Sequence, residues 1–278
     1  MLKPLHNPED GQMRVAGLMS GSGTNLVEII KTEKAYEKEF GKFPYAVVVI
    51  FSDTFDCNAA RIGKEYDIPV VMRDKKGFYA KRNALLRDLE VRAEFDAENV
   101  RALAPYDATV AAYAGYMSIA TAPLISAFLG INVHPADLSI KNEDGSRKYT
   151  GDNAVRDAIL AGEHELRSTT HIIEPIVDGG RILMISSPLE VNFHEWFGYS
   201  PSKEEINQFF KDEPKKAEEI TNVHQSRLKR IGDWVIFPNT LTYLAQGKYL
   251  QDERGALFFE DKHDSAQLQK IPDGYRID

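Results

Sequence analysis

Apolar residues fall in short dense blocks separated by longer amphipathic stretches. "MRVAGLM" at 13–19, "YAVVVIFSD" at 45–53, "IPVVMRD" at 68–74, "DATVAAYAG" at 107–115 and "GINVHP" at 130–135 each predict a buried strand. Short runs rich in Val, Ile and Ala, bounded by turn residues, fit strands covered on both faces. After the first block, "TNLVEIIKTEKAYEKEF" sets Leu26, Ile29 and Ile30 at helical spacing. "CNAARIGKEYD" predicts a second helix, the stretch from Phe78 to Leu103 one long helix, and "APLISAFL" a short one. Strands alternating with helices predict an α/β fold: a mostly parallel central sheet with helices on both faces.

The pattern changes past residue 140. "KNEDGSRKYTGD" at 141–152 is a polar loop and "NAVRDAILAG" a helix, while "STTHIIEPIV" and "RILMISSPLEV" form two strands joined by the tight turn "DGG". "SKEEINQFFKDEPKKAEEI" is a charged amphipathic segment, and Thr221 to Gly247 is helical, interrupted near Pro238. Residues 255–278 are a polar tail with one short strand at "ALFFE". The expectation is one domain over 1–278, made of an N-terminal half (13–136), a second half (137–254) and the tail.

Composition adds little to the fold but narrows the class of function. Apolar content of 43% and charged content of 27% are ordinary for a globular protein. One cysteine, Cys57, cannot close an internal disulfide, and "MLKPLHNPED" lacks the apolar core of a secretory signal, so a cytoplasmic setting is expected. No apolar run approaches the roughly 20 residues of a membrane-spanning helix. The formal charge of -8 argues against a general nucleic-acid binder. It leaves room for an anionic small molecule, because screening confines the field of distant charges to about 8 Å at physiological salt.

Three stretches carry candidate chemistry. In "SGSGTN" (20–25), glycines at a strand-to-helix junction let backbone N–H groups approach an anion at the helix N-terminus. Leu26 stands where the dinucleotide fingerprint needs its third glycine, and no G-x-x-x-x-G-K-[ST] is present. A phosphate-sized anion therefore fits better than NAD or ATP, although a plain turn with Thr24 as N-cap explains the same residues. In "GINVHPADLSI", Asn132 and His134 are two apart on a strand and share a face at its carboxyl end, where open parallel sheets bind ligands. An amide can donate to an oxygen gaining negative charge, and an imidazole can exchange a proton near neutrality. In "IVDGG", Asp178 could orient an imidazole or could simply open an Asp-Gly hairpin turn. The seven histidines show no H-E-x-x-H spacing, so no metal site is expected.

Taken in order, "GLMSGSGTNL", "AGYMSIA", "INVHPADL", "IEPIVDGG" and the terminal "IPDGY" resemble the glycinamide ribonucleotide formyltransferases of purine synthesis, within the folate-dependent formyltransferase superfamily. The resemblance implies a Rossmann-like formyltransferase fold and transfer of a formyl group from the cosubstrate 10-formyltetrahydrofolate to an amine. Asn132, His134 and Asp178 match the catalytic trio. The first half would hold the ribonucleotide phosphate through Gly23, Thr24, Asn25 and Arg82. Arg230 and Asp233, in "LKRIGDWVIFP", fall where the family uses a Lys or polar residue and a Glu for phosphate and for ribose or amine. The second half would complete the folate site, formed by Tyr116, Met117, Ile119 and the loop carrying Glu174, Val177 and Gly179.

The chain also departs from that pattern. Ser118 replaces an Arg found in many members, "KNEDGSR" is an insertion after His134, the usual Leu-Pro run and a His near Asn153 are missing, and a second insertion spans 196–216. The resemblance implies small-molecule partners, no nucleic acid, no membrane, and a monomer or homodimer. The alternatives are a hydrolase that passes the formyl group to water, a formyltransferase for an amino sugar nucleotide, and a sensor of folate or nucleotide without turnover.

Overall fold

A computed structural model describes residues 1–261 and 267–277. In chain order its strands begin with β1 (Lys3–Pro4), β2 (Met13–Met19), β3 (Tyr45–Ser52), β4 (Val70–Met72), β5 (Val110–Tyr113) and β6 (Leu129–His134). The helices among them are α1 (Thr24–Phe40), α2 (Ala59–Tyr66), α3 (Lys75–Ala80), α4 (Leu89–Leu103) and α5 (Ala122–Ala127). There follow α6 (Ala154–Leu160), β7 (Glu165–Leu166), β8 (Thr169–Ile172), β9 (Ile182–Ile185), β10 (Leu189–Glu190), α7 (His194–Phe197), α8 (Lys203–Asp212), α9 (Pro214–Leu228) and α10 (Trp234–Ala245). The chain closes with β11 (Tyr249–Gln251), β12 (Leu257–Asp261), β13 (Gln267–Lys270) and β14 (Tyr275–Arg276).

The central sheet has eight strands in the order β14-β9-β8-β6-β5-β2-β3-β4. β2 runs parallel to β3 on one side and to β5 on the other, and β5 is parallel to β6. Antiparallel pairs begin where β6 meets β8. Chain direction across the sheet therefore reverses at β2, which opens a crevice between the loops after β2 and β5, the usual ligand position in such sheets.

Alternation along the strands sorts side chains into two layers. Val15 and Met19 of β2 pack with Leu26 and Ile29 of α1 and with Ile236 and Phe237 of α10. Ala16 and Leu18 point the other way, into a layer with Phe51, Leu103 of α4 and Leu124 of α5. All of these are essentially inaccessible to water. A third cluster covers α6: Val155, Ala158 and Ile159 meet Ile206 and Phe210 of α8 and Ala217 and Ile220 of α9. Much of the second insertion thus forms a helical cover over α6.

Several sequence expectations change in detail. The helix expected over Phe78 to Leu103 is two, α3 and α4, because Asn83 takes a left-handed conformation (φ +51°) and Asp88 caps α4 through the N–H groups of Glu90 and Val91. The charged segment after Ser202 divides at Pro214, which fits the first turn of α9. Pro238 sits inside α10 without ending it. The irregularity lies just before, in a π-helical turn at Lys229–Asp233, immediately ahead of Trp234, whose carbonyl Pro238 cannot bond. "RILMISSPLEV" splits at Pro188 into β9 and β10, the latter pairing with β7. Among the described residues the tail holds three strands where one was expected. β12 and β13 join β1 and β11 in an antiparallel sheet, while β14 adds to the edge of the central one.

Candidate active site

A cavity of about 570 Å³ opens at the carboxyl ends of β5 and β6, a volume in the range of small-molecule sites. Of the residues singled out from sequence, Asn25, Tyr116, Met117, Ile119, Asn132, His134, Glu174, Val177, Asp178 and Asp233 line it. Gly23 and Thr24 begin α1 beside Asn25, and Gly179 follows Asp178 in its turn, without being on the wall. Two arginines fall elsewhere. The Arg82 guanidinium pairs with Glu94 (2.7 Å) and lies over the Phe78 ring (3.6 Å). Arg230 borders a separate surface depression with Lys215 and Arg227. Its neighbour Lys229 lines the cavity instead. Successive helical residues point in directions far apart around the axis, so an offset of one residue decides which cation faces the site.

β6 presents its polar pair as its periodicity requires. Antiparallel pairing sets Asn132 opposite His171 and His134 opposite Thr169. Asn132 Nδ2 lies 3.2 Å from His171 Nε2, and His171 Nδ1 lies 3.0 Å from the Ile172 carbonyl. Because a carbonyl can only accept, Nδ1 of His171 carries its hydrogen and Nε2 accepts from the Asn132 amide. One N–H of that amide is still available for another acceptor.

The same reasoning fixes His134. Its Nε2–H donates to the Tyr149 carbonyl (2.9 Å), which leaves Nδ1 facing Asp178 Oδ2 at 3.6 Å. Nδ1 is therefore the ring atom that can gain or lose a proton. Burial lowers the His134 pKa, with the Asp178 charge partly opposing the shift. Asp178 itself sits at φ +51° between β8 and β9. Burial works against its ionisation, but the His171 and His134 rings in their imidazolium forms and the Gly151 N–H (2.8 Å to Oδ2) outweigh it and hold the carboxyl at about 2. The carboxylate thus stands between two imidazoles, ionised at neutral pH.

Asp233 is buried, accepting from Ser168 Oγ (2.6 Å) and Asn25 Nδ2 (3.3 Å), while Trp234 Nε1 donates to Asn25 Oδ1 (3.1 Å). Burial raises its pKa, and these hydrogen bonds offset only part of the shift. Ser118 belongs to a half-buried network in which the buried Asp53 accepts through Oδ2 from Ser118 Oγ (2.5 Å) and Lys75 Nζ (2.8 Å). Ser20 Oγ donates to the other Asp53 oxygen (2.9 Å) and accepts from the Met117 N–H (3.1 Å). That network ties the loop after β2 to the loop after β5. Exposed Met117 and Ile119 on one loop, and Ile176 and Val177 on another, form apolar lips at the cavity. Among the described residues no group of three or more His, Cys, Asp or Glu is arranged to hold a metal, and no helix is long and apolar enough to cross a membrane.

Sequence reasoning passed over His171, Lys229 and Gln225, all on the cavity wall. His171 lies mid-strand in "STTHI" on the same side as Thr169, a period-two signal that becomes informative only once the pairing of β8 with β6 is known.

At the switch point of the doubly wound sheet an amide, an imidazole and a carboxylate line one cavity, and residues 13–195 match the formyl transferase family. The chain belongs to that family. Among its relatives, the phosphoribosylglycinamide formyltransferase of Haemophilus influenzae is 30% identical over 173 residues, 62% of this chain and 70% of that protein. The trifunctional purine biosynthetic protein adenosine-3 of Gallus gallus is 26% identical over 177 residues, 63% of this chain but only 15% of that longer protein. The solved structure of the phosphoribosylglycinamide formyltransferase of Coxiella burnetii shares the fold, with a TM-score of 0.63 at 20% identity over 96% of this chain and 100% of that one.

Proposed function

We propose that this chain transfers a formyl group from 10-formyltetrahydrofolate to the amine of glycinamide ribonucleotide, in the cytoplasm, as a monomer or homodimer. The observation that carries the reading is the convergence of Asn132, His134 and Asp178 on one cavity that also holds Asn25 and Lys229. The apolar lips suit a flat ring, and Glu174 sets a polar group beside them. When bound, the folate cosubstrate supplies an activated formyl carbon.

The chain's own groups account for the remaining steps. The free N–H of Asn132 can donate to an oxygen that gains charge as the amine attacks. Nδ1 of His134 can take the proton the attacking amine must lose, and Asp178 opposite favours the imidazolium so formed. That proton can then return to the departing nitrogen, so none is gained or lost overall. The acceptor's phosphate is assigned to the N-terminus of α1, which has no side-chain cap and no acidic residue in its first turn, together with Lys229. Asn25 and Asp233 would fix the rest of the acceptor.

A spectrophotometric assay of tetrahydrofolate formation tests this reading, run with glycinamide ribonucleotide, with water alone, and with an amino sugar nucleotide. Turnover that depends on glycinamide ribonucleotide is the expected result. Equal turnover in water alone would move the chain to the hydrolases, turnover only with the sugar nucleotide would change the acceptor, and binding without turnover would make it a sensor.

A further inference from the structure

The insertion after His134 folds back on itself as a tight hairpin. Lys141 bridges Arg147, the Asn142 N–H donates to the Ser146 carbonyl (2.8 Å), and the Asn142 side chain reaches Ser146 Oγ (3.0 Å). This closure aims the half-buried Arg147 at the turn between β8 and β9. Its guanidinium donates through one nitrogen to the Asp178 carbonyl and through the other to the Gly180 carbonyl (2.6 Å). Two residues on, the Tyr149 carbonyl accepts from His134 Nε2, and two further on, the Gly151 N–H donates to the Asp178 carboxylate. Three alternate residues of one segment therefore hold the turn, the imidazole and the carboxylate.

We propose that Arg147 is a positioning residue for formyl transfer, clamping the Asp178 turn so that the carboxylate meets the rings of His134 and His171. This inference rests on the catalytic reading given above. Asp178 is a non-glycine residue in the left-handed region, a conformation that neighbouring structure must maintain. Burial has already removed part of the water that could satisfy the turn's carbonyls. A planar guanidinium reaches two carbonyls at once from a fixed fork, which an ammonium does not reproduce.

The test compares wild type, Arg147→Ala and Arg147→Lys by steady-state kinetics against pH and by hydrogen exchange at the Gly151 and Gly179 amides. Misplacing a reacting group by about 1 Å costs of the order of 10²-fold, so Arg147→Ala should lose about that much in kcat with both KM values little changed. Exchange at the two glycines should speed up while β2 and β5 stay protected. Arg147→Lys keeps the charge but not the fork, so its kcat should be intermediate. The acid limb of its pH profile should also move down, because Asp178 no longer supports the His134 imidazolium as well. Wild-type kcat and wild-type exchange in Arg147→Ala would overturn the proposal, as would a kcat loss accompanied by lost protection across β2 and β5. A wild-type protein that transfers no formyl group would defeat the catalytic reading, whereas exchange at the two glycines would still decide whether the clamp exists.

Discussion

At the scale of single residues, His134 sets the pH behaviour. Nδ1 can accept a proton only from the neutral ring, and burial lowers the pKa from its usual value near 6.5. The acid limb of kcat should therefore fall below pH 6.5. Asp178→Asn removes the charge that favours the imidazolium, so the acid limb of its residual activity should move lower still, which a pH profile of the variant checks. Asn132→Ala and His134→Ala should each reduce kcat by about 10²- to 10⁴-fold while the circular dichroism of the folded protein stays unchanged. Lys229→Ala should raise KM for the phosphorylated acceptor, whereas Arg230→Ala should leave it near wild type, because only Lys229 lines the cavity. The strand pair was readable because a two-residue spacing has one structural meaning. Lys229 was not, because a shift of one position around a helix cannot be resolved without knowing the π-helical turn that begins there.

At the scale of elements, the junction of β8 and β9 depends on close backbone approach. A Cβ at Gly180 would lie 1.8 Å from the Ile172 carbonyl oxygen, and backbone cannot yield as a flexible side chain would. Gly180→Ala should cost of the order of 2 kcal/mol or more and should lower turnover together with stability, as urea unfolding and initial rates on the same sample would reveal. Strands β2 to β6 announced themselves in dense apolar blocks, and α1 in its helical spacing. The break between α3 and α4 did not, since Asn83 and Asp88 compete for the backbone locally within a pattern that otherwise looks helical. The antiparallel sheet near the chain ends was hidden for another reason. β1 and β11 pair from opposite ends of the chain, Lys3 opposite Gln251 and Pro4 opposite Leu250, and such short strands carry no periodicity.

At the scale of the whole molecule, one carboxylate links stability to the site. Asp178 titrates at about 2 in the fold against a usual 3.8. Its folded pKa is the lower one, so its contribution is complete above pH 3.8 and is lost as pH falls towards 2. The shift corresponds to about 2 kcal/mol. Unfolding curves of wild type and Asp178→Asn should therefore draw together by about that amount over this range, and parallel curves would remove the ion pairing inferred at the site. The alternation of strands and helices made the α/β architecture legible, and the order of the motifs pointed to the family. The cover that the second insertion builds over α6 was not legible, because its contacts with Val155 and Ile159 lie some 50 residues apart in sequence. The most direct measurement of formyl transfer itself is carbon-13 NMR of wild-type reactions started with 10-formyltetrahydrofolate labelled at the formyl carbon. With glycinamide ribonucleotide present, the label should appear as a formamide carbon on the acceptor. Label recovered only as free formate, or left unchanged on the folate, would contradict transfer to that amine.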